Sequence, residues 1–187
     1  MYFEKSIGVF MGAFVVWGFL MAMLFNLMLI GFKAKKDFKL VLVSIIMFIS
    51  YFISDHFFGF FSTSDMYLTW FIYDLVTLLI ILPALTIGKS KVSPGVVYVI
   101  IGLSLNSLLF LFMHLDITVQ GNREEWWLWS VYSIGVNVID FFMIVVLIVD
   151  KDIFGFITLK NYVKHRVTTH SSSFLSKFSQ NFQIQQS

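Results

Sequence analysis

Cysteine is absent from this 187-residue chain. That removes disulfides, thiolate metal sites, iron–sulfur ligation and a cysteine nucleophile, and leaves the redox compartment open. Charge is scarce as well. Only 13% of the residues are charged, about half the share of a soluble domain. A net charge of +2 is too small to argue for a nucleic-acid partner. The motifs of common hydrolases and phosphate-binding enzymes are missing too: no GxSxG, no HExxH, no glycine-rich phosphate loop, and no DxxD pair inside an apolar run. The chain is therefore expected not to be an enzyme, and no residue pattern calls for a cofactor or a metal.

What is present is apolar. Hydrophobic residues make up 58%, phenylalanine alone accounts for 23, and the mean hydropathy is +0.85. A helix needs about 20 mostly apolar residues to cross the hydrocarbon of a bilayer. Five stretches qualify: 7–32, 40–61, 66–88, 96–115 and 126–149. Helix is the economical choice, because an open sheet would leave backbone groups unpaired in lipid. The second stretch is the weakest. It has 14 clean residues before "SDHFFGFF", and 57–61 are needed to restore its length; a re-entrant segment is the rival reading. The connections are too short for a soluble domain. The expected architecture is all-α: a polytopic integral membrane bundle of five helices over residues 1–150. A basic, amphipathic juxtamembrane segment follows over 151–168, then a Ser/Gln-rich tail over 169–187 that is expected to be disordered.

Lysine orients the bundle. Lys33, Lys35, Lys36, Lys39, Lys89, Lys91, Lys151, Lys160, Lys164, Arg166 and Lys177 all fall on one side of a five-span arrangement; only Lys5 and Arg123 fall on the other. Basic residues favour cytoplasmic loops, so the N-terminus is expected outside and the C-terminus in the cytoplasm. The first apolar run is too long for a secretory signal and is read as a retained helix. Tyr67, Trp70, Trp126, Trp127 and Trp129 lie near the expected outer boundary, as an aromatic belt. The setting that fits is a bacterial inner membrane.

The polar residues inside the spans are the candidate site. Ser133, Asn137 and Asp140 follow i, i+4, i+7 spacing and share one helix face, which must meet protein or water rather than lipid. Gly135 lies on roughly the opposite face, where a second helix has room to approach. Tyr67, Trp70, Asp74 and Thr77 form a second stripe; Tyr51, Asp55, His56, Asn26, Asn106 and Ser107 complete the set. No Lys or Arg lies within a span, so Asp140 is expected to be carried in a neutral, hydrogen-bonding form. Asp140 sits about 21 Å and Asp74 about 12 Å below the start of their helices, a difference that argues against contact between them. Asp55, His56, Asp65, His114 and Asp116 gather near one membrane face without metal-ligand spacing. Asp65 reads as a helix N-cap and His114 as a helix-end residue.

Two functions are weighed. The first is a non-enzymatic membrane subunit, acting as anchor, sensor or effector. It would assemble with itself or a membrane partner and meet anionic lipid headgroups through a basic cytoplasmic face of Lys33, Lys35, Lys36, Lys39, Lys160, Lys164 and Arg166. The second is a cation or proton channel or transporter using Asp140 and Asp74. Five helices make a thin bundle with little room for a central site, so transport is expected to need an oligomer.

Overall fold

Each helix begins and ends where the chain supplies partners for its loose backbone groups. The computed structural model describes residues 2–34, 37–57, 65–86, 92–152 and 155, with side chains from Met11 onward. Helix α1, Tyr2–Gly31, closes with Lys33 in the left-handed region (φ 57). There Ala34 N donates to Leu29 O and Lys33 N to Ile30 O, both at 2.9 Å, the paired bonds of a Schellman ending. Helix α2, Phe38–His56, starts at Asp37, whose carboxylate accepts from Leu40 N at 3.2 Å. Helix α3, Met66–Ala84, starts at Asp65, which accepts from Tyr67 N at 2.9 Å and Leu68 N at 3.3 Å. Helix α4, Pro94–His114, opens on a proline that has no N–H to satisfy and continues into a wider π turn, Leu115–Val119. Helix α5, Trp127–Val149, stops at Asp150 in the left-handed conformation. The Asp150 carboxylate then accepts the Gly95 N–H at 2.8 Å, so one residue ends α5 and caps α4.

Among the described residues, five helices are long and apolar enough to cross a membrane. The second needs no help from residues 58–61, which lie outside the described set: α2 has 19 residues and qualifies alone. The chain divides into two compact units, Met1–Lys151 and Asp152–Ser187. Of the second, only Asp152 and Gly155 are described, so the expected amphipathic segment and tail lie outside the described residues, as do Lys35, Lys36, Lys160, Lys164 and Arg166.

The helices close a ring. α1 packs on α2 and α5, α3 packs on α2 and α4, and α4 packs on α5. Close contact depends on glycine. A Cβ on Gly102 would come within 2.6 Å of Met143, one on Gly18 within 2.4 Å of Ile144, and one on Gly95 within 2.6 Å of the Val146 carbonyl oxygen. Gly135, singled out from the sequence, does face α4, with Leu109 at 3.3 Å from its Cβ position. The tighter approaches lie elsewhere, because α5 needs room against α1 and α4 mostly in its second half.

The ring has an uneven interior. Toward the end carrying the α1–α2 and α3–α4 connections, here the lower end, it is filled by Phe19, Ala22, Val43, Met47, Ile81, Val99, Leu103, Met143 and Leu147. The polar Asn26 in this region has both amide hydrogens placed, Nδ2 donating to Ala22 O and Leu147 O at 3.0 Å each. Outward faces are apolar and bare, Trp17 60% and Ile134 66% exposed among them. Polar groups inside and apolar side chains outside are what hydrocarbon surroundings require. Lys33 is exposed, but Lys39 is only 5% exposed and so does not belong to an open basic face. It lies in the first turn of α2, between the exposed Phe38 and the buried Leu40, where helical rotation turns it into the bundle.

Candidate functional site

Above the apolar plug the ring opens into a cavity of about 660 Å³ that all five helices line. α1 contributes Met11, Gly12, Val15 and Val16; α2 contributes Ser50, Tyr51, Ser54 and Asp55. α3 contributes Met66, Trp70, Tyr73 and Asp74, α4 Asn106 and Phe110, and α5 Tyr132, Ser133, Val136, Asn137 and Asp140. A single chain thus encloses a central space, against the expectation that five helices are too thin for one. Five helices closed into a ring leave an axial space, and the core side chains that fill it lie in the lower half.

Asp140 is the junction at the cavity floor. It is 6% exposed, and its Oδ1 accepts from the Tyr51 hydroxyl at 2.6 Å and from Asn106 Nδ2 at 2.7 Å. Three helices, α2, α4 and α5, meet on one oxygen. Both donors take Oδ1, which leaves Oδ2 to the cavity. Tyr51 is held by the Phe19 ring at 4.4 Å between centroids. Asn137 donates to the Ser133 carbonyl oxygen at 2.7 Å, one turn above on the same face. Asp74 lines the same cavity, 8% exposed. The difference of about 9 Å in depth counted along the sequence does not keep the two acids from lining one space. Such counting assumes upright helices that start at one level. Ser50 and Thr77 share a short hydrogen bond between α2 and α3 below Asp74. Four buried polar atoms of this region have no hydrogen-bond partner among the described residues: Asp74 Oδ2, Asn106 Oδ1, the Tyr73 hydroxyl and Ser107 Oγ.

Asp55 lies at the mouth, 3.2 Å from the position a Gly12 Cβ would take. His56, its neighbour, is not part of the lining. It is exposed, stacks on Phe52 at 4.3 Å and lies 3.4 Å from Asp55. The structure thus brings Ser133, Asn137, Asp140, Asp74 and Asp55 to one space and leaves His56 outside it. Tyr51, Asn106, Trp70 and Tyr73 belong with them. The signal for Tyr51 and Asn106 was their polarity within an apolar run; their convergence on Asp140 required the fold.

Two further carboxylates organise the upper rim. Asp65, besides capping α3, accepts from His114 Nδ1 and from Thr118 Oγ1, each at 2.5 Å, and so pins α3 to the end of α4. Asp116, 4% exposed, accepts from the indole nitrogens of Trp126 and Trp129, both at 2.9 Å, and from Asn122 Nδ2 at 3.1 Å. These tryptophans thus also bind a carboxylate, beyond any role in an aromatic belt. No group of His, Asp or Glu able to hold a metal occurs among the described residues.

Partial burial works to raise the Asp65 carboxyl, but the donors from Thr118, His114 and the α3 backbone outweigh it and hold the group below the ordinary carboxylate range. A depressed folded value means stability that is complete above the unfolded value, near 3.9, and lost as pH falls through the folded one. Asp65→Asn is therefore expected to lower stability by about 1 kcal/mol at pH 5. That difference should shrink as pH falls below the unfolded value and through the folded one. Thermal unfolding of both proteins in detergent across that range checks it; a difference independent of pH would remove the charge from the account.

No known family model, curated protein or solved structure matches this chain.

Proposed function

We propose that this protein is a non-enzymatic integral-membrane binding subunit that holds a small polar ligand in the cavity of its helix ring. One observation carries the reading: the cavity is lined by all five helices of a single chain and keeps unpartnered polar atoms in its wall. Its volume lies within the range of about 300–1,000 Å³ usual for small-molecule sites. The basic asymmetry of the loops turns the open end away from the cytoplasm, so the ligand comes from outside. The apolar plug speaks against a continuous pore and for a sensor or receptor. A carrier is the second reading, favoured by Asp74 and Asp140 facing one space, and it requires the plug to part.

The absence of cysteine makes the test clean. Ser133→Cys, at the cavity wall, should react with a membrane-impermeant thiosulfonate added to intact cells. Val43→Cys, in the plug, should stay unreacted even in purified protein. A buried thiol reacts only as often as its surroundings open, so a difference of about a hundredfold or more in rate is expected. Equal reactivity of the two positions would refute a plugged cavity, and labelling of Ser133→Cys only after cell lysis would reverse the orientation.

A further inference from the structure

We infer that the cavity selects a small organic ammonium compound carrying at least one N–H or O–H donor. The inference rests on the ligand-binding reading above and assigns its chemistry. Four features converge on it.

The first is sign. Asp74 and Asp140 lie in the wall and floor, and no Lys or Arg is among the described lining residues. An anionic ligand would meet carboxyl groups with no counter-charge, whereas a cation favours their ionised form over the neutral one expected without it, so a cation is the complement. The second is size. A space of about 660 Å³ is far too large for a bare metal ion, and no metal-binding group occurs among the described residues. The third is the aromatic wall one or two turns above the acids, on the same helix faces. Trp70, Phe110 and Tyr132 form a continuous aromatic surface, with centroids 5.4 Å apart for the first pair and 5.8 Å for the second. Ring faces attract ammonium groups whose charge is spread over alkyl carbon, and they do so more strongly when shielded from water. The fourth is unmet demand. Asp74 and Asn106, 8% and 1% exposed, each keep a buried oxygen with no donor. Buried acceptors of this kind are rarely left empty. Donors on the ligand would meet them after a small side-chain rotation.

In this arrangement the ammonium sits between the aromatic wall and the Asp140 and Asp74 carboxyls. Its donor turns toward Asn106. Tyr51 and Asn106, both in the cavity lining, hold Asp140 Oδ1 in place.

Choline is a suitable probe, because 3,3-dimethylbutan-1-ol has the same shape and hydroxyl without the charge. The measurement is the rate at which an uncharged, hydrophilic thiosulfonate labels purified Ser133→Cys in detergent. Choline should slow the labelling saturably, with the uncharged alcohol about tenfold less effective, a difference of about 1.4 kcal/mol. Adding Asp74→Asn should leave the labelling rate without ligand unchanged, which reports an intact cavity, and weaken choline protection by about tenfold. Trp70→Leu should weaken it severalfold. Equal protection by choline and the alcohol, or no protection by choline while Ser133→Cys still reacts, would overturn the ammonium assignment and leave the cavity standing. If Ser133→Cys fails to react at all, the binding cavity itself falls.

Discussion

Asp140→Leu is expected to lower the stability of the bundle by about 1–3 kcal/mol, whereas Asp140→Asn should cost less than about 1 kcal/mol. The asymmetry follows from one geometric fact. Tyr51 and Asn106 both donate to Oδ1, so a single carbonyl oxygen can receive them. Asparagine supplies that oxygen at nearly the same place. Leucine supplies none and leaves a tyrosine hydroxyl and an amide facing carbon. Two orphaned buried donors would cost about 1–3 kcal/mol each in a dry core. Here the neighbouring cavity lets water reach part of the junction, and hydrogen bonds between membrane helices average about 0.6 kcal/mol in measured cases. Both considerations bring the total below that sum, to about 1–3 kcal/mol. Tyr51→Phe should show a smaller loss, because one donor still remains on Oδ1 and the ring keeps its contact with Phe19. Thermal unfolding in detergent with a fluorescence or aggregation readout ranks the three variants. A leucine variant as stable as the asparagine one would mean that Asp140 holds nothing together.

The second large effect is expected at Gly95. Replacing it with alanine places a methyl carbon 2.6 Å from the Val146 carbonyl oxygen and 3.0 Å from the Asp150 carboxylate. A side chain in the way can rotate aside; a backbone carbonyl moves only with its helix. The α4–α5 contact must open, and with it the 2.8 Å bond from Gly95 N–H to Asp150 that caps α4. A loss of about 2–3 kcal/mol is expected for Gly95→Ala, several degrees in Tm, and more for Gly95→Val. Gly31→Ala is the control. Among the described residues nothing lies within 4 Å of its Cβ position, so the same chemical change there should leave stability equal or raise it by up to about 1 kcal/mol through the less flexible unfolded chain. Equal effects at the two glycines would show that helix propensity, not packing, governs both.

Much of this molecule could be read along the chain. The five spans are a one-dimensional property, since a helix satisfies its own backbone hydrogen bonds and needs only enough apolar length to lie in lipid. The caps at Asp37 and Asp65 are equally local, each carboxylate reaching amides within three residues. The polar face of α5 was legible from spacing alone: Ser133, Asn137 and Asp140 do line one space.

Tertiary structure decided what that face meets. Tyr51 is 89 residues from Asp140 and Asn106 is 34, and no periodicity says that they share its oxygen. That depends on how each helix is rotated, tilted and shifted against its neighbours. The same freedoms bring Asp74 to the cavity of Asp140 despite unequal counted depths, and turn Lys39 inward from a cluster that composition assigns to the surface. Glycine contacts follow the same rule. Gly95, Gly102 and Gly18 look alike in sequence to Gly31, and only the packed helices distinguish a glycine against a backbone carbonyl from one against open space. Hydropathy determines that a chain enters the membrane and where it crosses. The cavity arises from side-chain volumes summed across five helices at one level, a quantity that no single segment contains.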